Sequence, residues 1–143
     1  MSDSILAPGA VLALWTLIML GWMAATRFPA MAKAGIDVKA AQPGGRGVDL
    51  ETALPPSVNW KSHNYTHLLE QPTIFYAVIV FLHLSGGDVG YTRWIAWAYV
   101  GLRIVHSIWQ ATVNRIPVRF ALFALYTLCL FALSVLAVIA TLG

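Results

Sequence analysis

Two short stretches hold the residues able to do chemistry. In the first, His63, His67 and Glu70 stand at i, i+4 and i+7, with Asn64 beside His63. In the second, Tyr99, Arg103, His106 and Gln110 stand at i, i+4, i+7 and i+11. At the helical period each set lies along one face of a helix. Imidazoles, amides, a carboxylate and a guanidinium gathered this way can hold an ion pair, bind a small polar ligand or ligate a metal. The His63-x3-His67-x2-Glu70 spacing suits metal ligation on a helix. A di-iron or hydroxylase centre needs more donors than the chain supplies, so no metal is expected. Cys129 is the single cysteine. It sits in an apolar run with no cation nearby to stabilise a thiolate, and reads as a small core residue.

The elements that must position these residues are membrane helices. The 143 residues are 59% hydrophobic and 10% charged, with a mean hydropathy of +0.71. A soluble domain carries about 25% charged residues. So few charges cannot cover a wetted surface, and the same composition excludes a disordered chain, a disulfide framework and a nucleic-acid module. A span needs about 20 mostly apolar residues. Four stretches qualify, at about 5–26, 62–85, 92–113 and 118–142. The loop 27–61 is polar and rich in proline, a glycine-rich turn follows at 86–90, and Asn114–Pro117 makes the last connection. The expectation is one domain over 1–143: all-α, an integral membrane four-helix up-down bundle. A cleaved signal peptide is the rival for the first span, since Ala30-Met31-Ala32 resembles a cleavage site. Met1–Ser4 has no basic residue, and the apolar run is too long for a signal-peptide core.

The net charge of +3 is a topology signal. Arg27, Lys33, Lys39, Arg46 and Lys61 lie in the first loop, and Arg115 lies in the third with Arg119 at its edge. The other side has Arg93 alone, and neither tail has Lys or Arg. Loops one and three are therefore expected in the cytoplasm, with both termini outside it. Glu70 and Arg103 then lie at similar depth, each about 14 Å from its cytoplasmic helix end at 1.5 Å per residue, and an ion pair between them is expected. Such a pair could serve only to fix helix register. The surrounding Asn64, His67, His106, Gln110 and Arg119 point instead to a polar cavity open to the cytoplasm. Pro72 should kink the second helix beside Glu70.

The segments His63-Asn-Tyr-Thr-His-Leu-Leu-Glu-Gln-Pro-Thr-Ile-Phe-Tyr76, Tyr99-Val-Gly-Leu-Arg-Ile-Val-His-Ser107 and Asn114-Arg-Ile-Pro-Val-Arg-Phe120 resemble the MAPEG family, the membrane-associated proteins of eicosanoid and glutathione metabolism. The resemblance runs from the first helix through the fourth and is strongest to a bacterial branch. It implies a homotrimer in a bacterial inner membrane, with glutathione bound at subunit interfaces near the cytoplasmic side. Glu70 matches the motif glutamate of the second helix, and Arg103 and His106 match an Arg-x-x-His motif. Arg119 matches the arginine that faces the glutathione sulfur. Arg27 corresponds to a basic residue that reaches a neighbouring subunit. The resemblance therefore places Arg119 as the activating residue, and Glu70, Arg103, His106, Asn64, His67, Gln110 and Arg27 around glutathione.

The chain also departs from the family pattern. His67 replaces the usual asparagine of Asn-x-x-Glu. His63 and Thr66 fall where glutathione-binding members often have arginine, and Gln110 replaces a common tyrosine. Phe120 and Phe123 replace polar residues of some enzymes. Two functions are implied. One is a glutathione transferase or peroxidase acting on a lipophilic electrophile from the bilayer. The other is a non-enzymatic membrane protein of the same fold that binds lipid or a protein partner, as the five-lipoxygenase-activating protein does within the family.

Overall fold

The computed structural model describes residues 4–143. The expectation that the amino-terminal tail lacks basic charge rests partly on residues 1–3, which lie outside the described residues. The chain forms α1 (Leu6–Lys33), α2 (Pro56–Leu68), α3 (Gln71–Leu84), α4 (Gly90–Thr112) and α5 (Ile116–Leu142). Among the described residues, three stretches are long and apolar enough to cross a membrane: Leu6–Lys33, Pro56–Leu84 and Ile116–Leu142. The second of these is α2 and α3 together.

α4 is less apolar than the other three, and its burial explains how it belongs in the bundle. Its 23 residues reach about 34 Å at 1.5 Å per residue. Tyr99, Arg103, His106, Ser107 and Gln110 are buried, whereas Trp94, Val105 and Ile108 face outward. Polar groups thus point to the interior and apolar groups to the surroundings, as a bilayer requires. The outer faces of α1 and α5 follow the same rule, with Leu14, Leu17, Leu128 and Phe131 all more than half exposed.

The first loop is shorter than 27–61. α1 continues through Pro29 to Lys33, and Gly35, two residues on, has a φ of +68° that suits a helix stop. Amides of Ala34, Gly35 and Ile36 bond back to carbonyls of Ala30, Ala32 and Met31, closing the last turn. α2 begins at Pro56, in the first-turn position where a missing amide costs least. Between them, short 3-10 turns at Val38–Ala40 and Gly47–Leu50 fold the loop back onto α2. Asn59 Nδ2 donates to the Glu51 carbonyl at 2.8 Å, and His63 Nε2 meets Glu51 Oε1 at 2.7 Å.

The second span is broken. α2 ends at Leu68 and α3 starts at Gln71, with Glu70 between them at φ −86°, ψ −97°. Pro72 cannot donate a backbone hydrogen bond, and its ring disfavours a continuous helix here. The Thr73 hydroxyl donates to the Glu70 carbonyl at 2.7 Å, closing the new helix start.

The core joins α1, α3, α4 and α5. Phe75 stacks on Tyr99 with ring centroids 4.3 Å apart, and Tyr126 meets Tyr99 edge-on at 5.7 Å. Trp15 Nε1 donates to Ser107 Oγ at 3.1 Å, and Gln71 Nε2 donates to Thr127 Oγ1 at 3.0 Å. At Gly9, α1 passes so close to α3 that a Cβ would run into Ile79 Cδ1.

Asp88 fastens the end of the bundle away from the polar stretches. Its carboxylate accepts the Ile5 amide at 3.2 and 3.3 Å, meets His83 Nδ1 at 2.9 Å and accepts Arg93 Nε at 2.6 Å. Burial pushes the Asp88 carboxyl up. The hydrogen bonds from Arg93, His83 and the Ile5 amide outweigh that effect and hold it below its ordinary value.

Candidate functional site at the end bearing the first and third loops

Arg103 occupies the centre of the site and is fully buried. Its Nη1 donates to His106 Nδ1 and its Nη2 to His67 Nδ1, each at 2.9 Å. Its guanidinium carbon lies 5.2 Å from the centroid of the Tyr126 ring. Among the described residues Arg103 makes no ion pair. The expected Glu70–Arg103 pair is therefore absent. The cause is the helix break: Glu70 no longer continues the face of α2, and its side chain is 61% exposed. Its carboxylate lies closest to His67, with Nε2 standing 3.8 Å from Glu70 Oε2. His67 has taken the place beside Arg103 that the spacing assigned to Glu70.

The metal-like spacing on α2 also does not converge. His63 turns to Glu51 in the folded-back loop, while His67 turns to Arg103.

Two cavities adjoin here. The larger, of about 570 Å³, is walled by Arg27, Arg46, Glu51, His63 and Glu70, together with His67 and Gln110. The smaller, of about 230 Å³, is walled by His106, Arg119, Ile116, Phe120 and Phe123, again with His67 and Gln110. His67 and Gln110 thus form the partition between a polar, mixed-charge space and a space with one cation and an apolar rim.

The remaining residues take distinct places. Arg27 donates to Ser62 Oγ at 3.0 Å and also to the Gly47 carbonyl, so it clasps the loop to α2 from within its own chain. Arg119 Nη1 donates to Asn114 Oδ1 at 2.6 Å, which turns it back toward the α4–α5 connection and the smaller cavity. Asn114 adopts φ +54°, a left-handed conformation that asparagine tolerates. Asn64 is 1% exposed, and neither side-chain amide atom has a hydrogen-bond partner among the described residues. Gln110 is buried at the partition, and its Oε1 has no hydrogen-bond partner among the described residues. Arg103 and Asn64 line neither cavity and stand behind its walls.

Helical spacing could not reveal Arg46 and Glu51 as cavity residues. They arrive through a loop that folds over the α1 and α2 ends, and no periodic pattern marks such a residue. The one sequence signal is Gly47: a Cβ there would stand 3.2 Å from Arg27 Nη1, so a small residue lets the loop settle on the arginine.

A family model described as the MAPEG family matches residues 5–139. No curated protein and no solved structure matches the chain.

Proposed function

The chain belongs to the MAPEG family, and from that membership we propose that it is a glutathione-dependent transferase or peroxidase acting on lipophilic electrophiles. The observation that carries this reading is the pair of adjoining cavities with His67 and Gln110 in common. Glutathione bears two carboxylates, an ammonium and a thiol. The larger cavity offers Arg27, Arg46 and His63 for the carboxylates, and Glu51 and Glu70 for the ammonium. In this reading the thiol ends in the smaller cavity, which Arg119 lines.

Glutathione would supply the sulfur nucleophile, so no side chain of the protein needs to form a covalent intermediate. Arg119 favours the thiolate over the thiol by charge proximity. One unit of that shift corresponds to about 1.4 kcal/mol. Ile116, Phe120 and Phe123 give the same cavity an apolar rim, the side from which an electrophile dissolved in lipid would enter. The working unit is a homotrimer in a bacterial inner membrane, with the first and third loops in the cytoplasm.

A non-enzymatic lipid- or partner-binding role is favoured by one observation. Arg27 and Arg119 already hold partners within the chain, and positions 63 and 66 carry no arginine. Thermal denaturation of the detergent-solubilised protein separates the two. Glutathione at 100 times its dissociation constant should add about 2.7 kcal/mol of stability. No stabilisation at millimolar glutathione would remove the enzymatic reading and leave the binding role.

A further inference from the structure

Arg103 has no ligand-facing surface, yet it holds both histidines that have one. An arginine side chain has donors only. Each Nδ1 that lies 2.9 Å from its guanidinium must therefore be the accepting nitrogen, with the ring proton on Nε2. His67 lines both cavities and His106 lines the smaller one. The rings lie 5.2 Å apart, tilted by 36°. Tyr126 meets the His106 ring edge-on at 5.4 Å, and Phe123 stands 6.2 Å from the His67 ring, so both imidazoles are held by packing as well as by Arg103.

From this geometry we infer that Arg103 is a positioning residue: it locks His67 and His106 in the Nε2–H form, so that the partition between the cavities offers donors to an anionic group of the ligand. The guanidinium polarises both rings, which strengthens what their Nε2–H groups donate. A buried cation thereby acts on the ligand through two neutral rings. The matching ligand chemistry is an acceptor, a carboxylate or thiolate, rather than an ammonium, which has donors only and needs a lone pair from the wall. His67 carries the larger share of this selectivity, because it alone of the two faces both spaces. The ligand assignment rests on the glutathione reading; the proton positions do not.

The test uses the full chain in detergent with ¹⁵N-labelled histidine, each signal identified by its loss in His67→Gln or His106→Gln. Long-range ¹H–¹⁵N spectra should show His67 and His106 each with a bare Nδ1 and a protonated Nε2. A proton on Nδ1, or rapid averaging between the two forms, would overturn the lock. Arg103→Gln should release it and Arg103→Lys should retain it. If the Arg103 variants do not fold, His67 decides the donor role. His67→Gln places an amide N–H close to the Nε2 position and should keep glutathione affinity within about threefold, whereas His67→Leu should weaken it about tenfold or more, as loss of a hydrogen bond to a charged group does. Equal loss in both variants would overturn the donor role. Locked histidines in a protein that does not bind glutathione would support the lock and reject glutathione as the ligand.

Discussion

Arg103 donates to Nδ1 of His67 at 2.9 Å across the contact between α2 and α4. This bond replaces a carboxylate partner with an imidazole, so the buried guanidinium keeps its full charge next to the two cavities. A cation paired with Glu70 would be largely neutralised, whereas one held by neutral rings projects its field into the site. The arrangement gives the protein an electropositive interior at the point where the polar and apolar spaces meet.

The energetic coupling should follow the hydrogen bonds. Removing the His67 ring leaves Arg103 short of an acceptor, and hydrogen bonds to charged groups contribute about 1.5–3 kcal/mol. A double-mutant cycle of His67→Leu with Arg103→Leu, read by thermal denaturation, should give a coupling of at least about 1 kcal/mol. The same cycle with Glu70→Gln should give nearly additive losses. Strong Glu70 coupling with none at His67 would contradict the observed partner.

Asp88 should make stability depend on acid. Its folded pKa lies below the ordinary value, so the unfolded chain takes up a proton first as pH falls. The stabilising contribution is complete above the unfolded value and is lost as pH drops through the folded one, in the range below about pH 4. His83 is 42% exposed and Arg93 34%, so the contribution is set at roughly 1 kcal/mol after solvent screening. Asp88→Asn should lower the melting temperature at pH 7, with the gap to wild type closing toward pH 3. A gap that stays constant over that range would show that the charge on Asp88 is not what fastens Ile5, His83 and Arg93.

Arg119 should affect the sulfur more than the fold. Its hydrogen bond to Asn114 is local, five residues apart, and an arginine in the first turn of α5 gains nothing from the helix dipole. Arg119→Leu is expected to leave assembly and glutathione binding intact while the thiolate absorbance near neutral pH disappears. An unchanged thiolate titration, with any loss confined to stability, would mean that Arg119 serves the membrane edge, as snorkelling arginines do.

Orientation is testable without a ligand. The basic residues of loops one and three and the buried polar site lie at one end of the bundle, and Asp88 with Arg93 lies at the other. A carboxyl-terminal fusion to a reporter that fluoresces only in the cytoplasm should stay dark. Bright fluorescence from an intact, inserted fusion would reverse the topology and place the cavities on the far side of the membrane.

Composition and period were enough to identify a membrane helical bundle, because a sparse set of charges and long apolar runs have few other folded solutions. They also put Arg103, His106 and Gln110 on one buried face of α4, since a helix repeats its faces from residue to residue regardless of what surrounds it. Partners are another matter. Whether Glu70 or His67 reaches Arg103 depends on the chain breaking at Leu69–Glu70, which turns one side chain outward and leaves the other in place. Pro72 announces a disturbance there but not the direction of the turn. Arg46 and Glu51 reach the larger cavity only because a loop without periodicity folds back and is clasped by Arg27 and His63. Local spacing determines which residues share a face; the break, the loop and the packing of α2 on α4 decide which of them meet.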